Sequence, residues 1–227
     1  MNLNKEGIMI LAAHPDDEIL GCGGTIARLA QQGHPVTAVI VCEGESLRYG
    51  SQGIGQTNHI HQAAQILGIE EVRLLSFPDQ KLETFTHNEI ILALEAIIQE
   101  KKPSHLFVQY GGDVNTDHQM LFRAAMVVTR PTTEFIRTVL AFETASSTEW
   151  AYPRSFVPDT WVDISSTLEK KLEAMACYIS EVREYPHPRS IAGLRNKAMA
   201  WGNQCCMTAA EVFMTIRKTV RDNQNFL

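Results

Sequence analysis

Two histidines and several carboxylates fall in short segments that directly follow apolar runs. The first segment is His14-Pro15-Asp16-Asp17-Glu18. The second is Gly111-Gly112-Asp113-Val114-Asn115-Thr116-Asp117-His118. An imidazole and a carboxylate three residues apart on a strand-to-helix loop can both turn toward one point. Adding His118 from a neighbouring loop gives two histidines and one carboxylate. Three protein ligands with an open position are the pattern of a catalytic metal, commonly Zn2+. Fe2+ accepts the same set, so ligand type alone leaves the divalent ion open. A competing reading is that the carboxylates at 16–18 only complement the positive N-terminus of the helix that follows. The adjacency of two acids favours the metal: Asp17 can bind the cation while Asp16 is left to take a proton from water. Both can stay ionised only because a divalent charge offsets their repulsion.

The elements that must position these groups alternate along the first 140 residues. Apolar, β-branched runs at 8–13, 36–42, 72–76, 105–110 and 136–142 read as strands buried on both faces. Stretches of helical character lie between them, at 24–32, 56–67, 87–100 and 117–129; Ile90, Ile91, Leu94, Ile97 and Ile98 recur at helical spacing. Strands alternating with helices predict βαβ units, a mostly parallel sheet and helices on both faces: a Rossmann-like three-layer α/β fold. In such a sheet, ligands bind beyond the carboxyl ends of the strands, where the histidine and carboxylate loops fall. From about residue 144 the rhythm changes. A proline-rich loop, helices at 165–182 and 190–201, and a strand near 212–217 are expected, so residues 1–227 read as one domain with a C-terminal helical extension.

Composition excludes several classes. The 227 residues are 44% hydrophobic and 20% charged, with 20 Lys and Arg against 26 Asp and Glu, a net charge of −6. That acidic balance argues against a nucleic-acid partner. No apolar run approaches the ~20 residues of a membrane-spanning helix, and the polar segment 1–7 does not read as a leader, so a cytoplasmic location without membrane insertion is expected. None of the five cysteines forms a Cys-x-x-Cys pair, which disfavours a disulfide scaffold or zinc knuckle. A homo-oligomer is compatible with the sequence. The rival function is a nucleotide- or sugar-binding Rossmann-like protein without catalytic activity, on the strength of Gly21-Cys22-Gly23-Gly24 after strand one and Glu43 after strand two. Against it, Ile26 stands where the third glycine belongs, and three carboxylates crowd the place of a pyrophosphate.

Ala13-His14-Pro15-Asp16-Asp17-Glu18, followed by Gly21-Cys22-Gly23-Gly24-Thr25, resembles the opening signature of the PIG-L/LmbE-like zinc-dependent de-N-acetylases. Thr116-Asp117-His118 is similar to that family's second metal motif, and Phe77-Pro78-Asp79 with Leu82 to its strand-three loop. Ser146-Ser147-Thr148-Glu149-Trp150, Tyr185-Pro186-His187-Pro188-Arg189-Ser190 and Ala210-Glu211-Val212-Phe213 resemble a bacterial branch of it. The resemblance implies one Zn2+ held by His14, Asp17 and His118, with Asp16 as general base. It also implies an acetamido-sugar substrate that loses acetate through attack of water on the amide. Many relatives carry histidine where this chain has Asn115, so the imidazole's part must here be absent or supplied elsewhere. His187 is the replacement expected here, with Asp79 orienting it and Arg48 clamping a substrate hydroxyl or phosphate; Asp117 is expected to hydrogen-bond a ligand side chain.

Overall fold

A computed structural model describes residues 5–44 and 56–221. Seven strands form one sheet in the order β3-β2-β1-β4-β5-β7-β6. They are β1 (Ile8–Ala12), β2 (Val36–Cys42), β3 (Glu71–Phe77), β4 (His105–Gln109), β5 (Thr138–Phe142), β6 (Thr160–Asp163) and β7 (Ala210–Lys218). The first five pair in parallel. β7 runs antiparallel to both β5 and β6, so the C-terminal segment extends the sheet.

The helices among the described residues are α1 (Asp17–Gln31), α2 (Gln56–Leu67), α3 (His87–Lys101), α4 (Thr116–Val128), α5 (Leu168–Ala176) and α6 (Ile191–Asn203). Successive side chains of a strand point to opposite faces, and the core divides accordingly. Ile8, Ile10 and Ala12 of β1 pack with α1, α2, α5 and α6, whereas Met9, Leu11 and Ala13 pack with α3 and α4. The expected three-layer, mostly parallel architecture is present. Strand order reverses at β1, so the loops after β1 and β4 flank the crevice where open α/β sheets bind ligands.

The structure corrects four local expectations. The first helix begins at Asp17, seven residues before the expected position, and the glycines at 21, 23 and 24 lie inside it. Tertiary packing explains them. A Cβ on Gly21 would sit 2.0 Å from Phe142 Cδ2, and one on Gly24 2.8 Å from Ile164 Cβ, so only glycine lets α1 approach so closely. The helix kinks at Cys22, where φ is −143° and ψ 21°. The amides freed there are satisfied from β7: Gly24 N–H donates to Glu211 Oε1 at 2.9 Å and Thr25 N–H to Oε2 at 2.7 Å. Buried Lys171 completes this cap, 2.6 Å from Glu211 and 3.0 Å from the Leu20 carbonyl. The second correction is that β3 is an edge strand, partly exposed rather than buried on both faces. The third is β6, a short and only half-buried strand whose pattern is too weak to read alone. The fourth is the helix expected over 165–182, which covers only Leu168–Ala176; the chain then turns so that Tyr178 is fully buried and its hydroxyl donates to Glu18 at 3.2 Å.

Candidate active site

His14 follows β1, and Asp17 opens α1 behind it. His118 stands in the first turn of α4, after β4. Asn115 caps that helix, its side chain accepting the Asp117 N–H at 2.9 Å, which fixes the register of Asp117 and His118. Together these elements bring three Lewis-basic atoms to one point. His14 Nδ1 lies 3.2 Å from Asp17 Oδ2 and 3.3 Å from His118 Nε2, and the third side, His118 to Asp17, is 3.3 Å. A tetrahedron with a centre-to-corner distance of ~2.0 Å, the reach of zinc to nitrogen or oxygen, has edges of ~3.3 Å. The donors therefore fit one face of a tetrahedral divalent ion.

The opposite nitrogens of both rings are held by carboxylates. His14 Nε2 is 2.9 Å from Asp117 Oδ2, and His118 Nδ1 is 3.2 Å from Asp113 Oδ1. Each carboxylate is anchored in turn: Asp117 Oδ1 accepts the Leu82 N–H at 3.0 Å, and Asp113 accepts the hydroxyls of Ser147 and Thr148. Such partners fix ring orientation and raise ligand basicity. Burial works against protonation of both imidazoles, but the carboxylates overcome it. His14 is raised well above the ordinary histidine range by its bonds to Asp117 and Asp17. His118 is raised to about 9 by the charge of Asp17 and the bond to Asp113. Asp17, despite full burial, is held well below the usual carboxylate range by His118 and His14. A second donor group, His14 with Cys42 and Asp117, shares one residue with the first. Burial pushes the Cys42 thiol up to about 12, so it presents a neutral thiol and not a thiolate.

Asp16 occupies a left-handed backbone conformation, φ 107°, rare for a residue with a side chain. Two contacts hold it there: its N–H donates to Glu18 Oε2 at 3.2 Å, and its Oδ2 is 3.2 Å from Arg189 Nη1. Burial raises the Asp16 carboxyl well above the usual range, helped by the charges of Asp17, Glu181 and Glu18 and opposed by Arg189. Arg189 Nη1 also donates to Glu181 Oε2 at 3.0 Å, and its Nε to Ser146 Oγ at 2.8 Å. Asp16, Asp17, Glu181 and Arg189 line a cleft with His14, Asp79, Gln80 and Asn115 in its wall.

Of the residues singled out in the sequence, His14, Asp16, Asp17 and His118 come together, with Asp117 beside His14. Asp79 and Asn115 line the cleft; the Asp79 carboxylate is 3.4 Å from His14 Nε2, and Asn115 Nδ2 donates to Gln80 Oε1 at 3.1 Å. His187 is not in that lining. Its ring packs edge-on against Trp150 at 5.6 Å between centroids, and its Nδ1 accepts the Arg189 N–H at 3.1 Å. Arg48 lies outside the described residues. Sequence reasoning assigns no role to Arg189, Glu181, Gln80 or Asp113. Arg189 stands two residues past His187, and Asp113 five before His118, but nothing in their local pattern marks them. The glycine stretch meant for a phosphate is buried in helix packing, which removes the main support for the nucleotide-binding rival.

Residues 9–129 match the family model PIG-L, described as GlcNAc-PI de-N-acetylase. The chain is 34% identical over 166 residues to the "uncharacterized deacetylase YaiS" of Escherichia coli K12, spanning 70% of this chain and 83% of that protein. It is 30% identical over 185 residues to a probable N-acetyl-alpha-D-glucosaminyl L-malate deacetylase 2 of Bacillus cereus, spanning 77% and 83% respectively. The conserved protein TT1542 of Thermus thermophilus shares the fold, with a TM-score of 0.77 at 24% identity over 98% of this chain and 100% of that one.

Proposed function

The chain belongs to the PIG-L family of GlcNAc-PI de-N-acetylases, and from that membership we propose that it is a metal-dependent hydrolase removing the acetyl group from an acetamido sugar or its conjugate. The observation that carries this reading is the triangle of His14, Asp17 and His118 donors with a buried, strained Asp16 beside it. These three side chains would hold one divalent ion, with Zn2+ the first choice and Fe2+ compatible. When bound, such an ion supplies a Lewis acid and makes water acidic enough to ionise near neutral pH.

The rest of the chemistry belongs to the chain. Asp16 takes the proton of the attacking water as that oxygen approaches the acetamide carbonyl, then returns it to the departing nitrogen. Its raised proton affinity suits both halves of that cycle, and its strained backbone, held by Glu18 and Arg189, keeps the carboxylate aimed into the cleft. Arg189 supplies positive charge beside Asp16, and it positions that carboxylate against the repulsion of Glu181 and Asp17. Asp113 and Asp117 hold the two imidazoles in register. The cleft wall, in which carboxylates and amides stand with one imidazole and one guanidinium, suits a hydroxyl-rich substrate. None of the described helices is long and apolar enough to cross a membrane.

The experiment is acetate release from acetamido sugars together with metal analysis of wild type, His14→Ala, His118→Ala and Asp16→Asn. Wild type should carry about one ion, and the two alanine variants should lose it. Asp16→Asn should keep the ion and lose ~10²–10⁴-fold in kcat. Equal metal content throughout, or a metal-loaded Asp16→Asn with normal turnover, refutes these roles.

A further inference from the structure

The short turn Thr148–Trp150 is fastened to the site at one end and open to solvent at the other. Thr148 Oγ1 donates to Asp113 Oδ2 at 2.8 Å, directly behind His118, while Trp150 two residues on is 47% exposed. A second route leads from the cleft to the same indole. Arg189 reaches Asp16 through Nη1; its N–H donates to His187 Nδ1; and the His187 ring stands edge-to-face against Trp150, 85° between planes. Single exposed aromatics are ordinary on a protein surface, so exposure alone proves nothing. Position is what counts here: the indole adjoins His187, whose Nδ1 accepts the backbone N–H of the cleft residue Arg189. Because His187 Nδ1 accepts a backbone N–H, the neutral ring carries its proton on Nε2, a hydrogen-bond donor beside that indole.

We propose that Trp150 and His187 form a second sugar subsite, where the indole stacks on a pyranose ring linked to the acetamido sugar in the cleft. A pyranose has apolar C–H faces and a rim of hydroxyls, which matches an exposed indole bordered by a donor. This inference rests on the deacetylase reading and narrows it: the substrate is a glycoside or oligosaccharide, and a free acetamido monosaccharide is handled poorly. Covering about half of the open indole, about 50 Å2 of apolar area, corresponds to roughly a tenfold effect on kcat/KM.

The test compares N,N'-diacetylchitobiose with N-acetylglucosamine in wild type, Trp150→Ala and Trp150→Phe, with metal content and melting temperature checked for each. The disaccharide-to-monosaccharide ratio of kcat/KM should fall roughly tenfold in Trp150→Ala and recover in part in Trp150→Phe. An unchanged ratio overturns the subsite, and so does a change in oligomeric state with the ratio intact, which would place the indole in a contact between protein chains. Tryptophan fluorescence titrated with the disaccharide separates this idea from the deacetylase reading. Quenching that disappears in Trp150→Ala, without acetate release by wild type, would leave the subsite standing and refute the activity. Acetate release with no dependence on Trp150 would do the reverse.

Discussion

Replacing Gly21 by alanine should damage this protein out of proportion to one methyl group. The new Cβ would lie 2.0 Å from Cδ2, 2.6 Å from Cγ and 2.7 Å from Cε2 of Phe142. Ordinary carbon contacts are ~3.5–4.0 Å, so the ring or the helix must retreat by about 1.5 Å. Phe142 is fully buried at the end of β5 and has little space to retreat into. Overpacking of this kind costs ~1–3 kcal/mol, against a helix-propensity gain of at most ~1 kcal/mol. Taking the upper end of that cost for so close an approach, a net loss of about 2 kcal/mol corresponds to a fall in Tm of roughly 4–8 °C for a chain of this size. If α1 gives way instead, Asp16 and Asp17 at its start move with it, and a displacement of ~1 Å can cost ~10²-fold in turnover. The control is Gly23→Ala on the same helix. Its Cβ would come no closer than 3.1 Å to Ile19 Cγ2 and 3.2 Å to Lys171 Cγ, contacts relieved by a shift of a few tenths of an ångström, so it should cost clearly less than Gly21→Ala. Thermal melts, metal content and acetate release of both variants decide the matter. A Gly21→Ala protein as stable and active as Gly23→Ala would show that the close approach of α1 to β5 is not a constraint.

Three further outcomes follow from the site. Asp113→Asn should keep the fold but weaken metal affinity ~10–100-fold by releasing His118 Nδ1, as read by chelator competition; unchanged affinity would remove Asp113 from the support of the ion. Arg189→Ala should lower kcat by ~10²-fold with metal retained, and added guanidinium should restore part of it; failure of guanidinium combined with full activity of the variant would exclude the positioning role. Metal uptake should release protons, because the surrounding carboxylates raise His118 to about 9 and raise His14 as well. Only the neutral rings bind the ion, so affinity should rise about tenfold per pH unit for each proton displaced, levelling off above those values. Calorimetry in buffers of different ionisation heat measures the count, expected between one and two; zero protons released at pH 7 would show that the two imidazoles are already neutral.

The grouping of His14, Asp17 and His118 as residues that could hold a metal, and the parallel sheet, were legible in the chain because both rest on local pattern. Apolar β-branched runs separated by helical periodicity place β1 and β4, and the segments that follow them carry His14, Asp17 and His118 whatever the details of packing. Other features depended on partners distant in sequence. The glycines at 21–24 look like a loop until Phe142 and Ile164 are set against them, and the kink among them is stable only because Glu211, 187 positions beyond Gly24, caps its amides. The helix expected to run to residue 182 stops at Ala176, with Tyr178 buried against Glu18 and Glu181 set in the cleft beside Arg189. Arg189 itself lies 173 residues from Asp16. Its neighbours in sequence are prolines, a histidine and a serine, which give no sign of a buried carboxylate. Short-range pattern therefore determined which residue types could bind a metal and which strands would present them. The cation facing Asp16, and the strain that Asp16 carries, were decided only when the C-terminal segment folded back over the first loop, since burial and charge pairing are properties of neighbours in space.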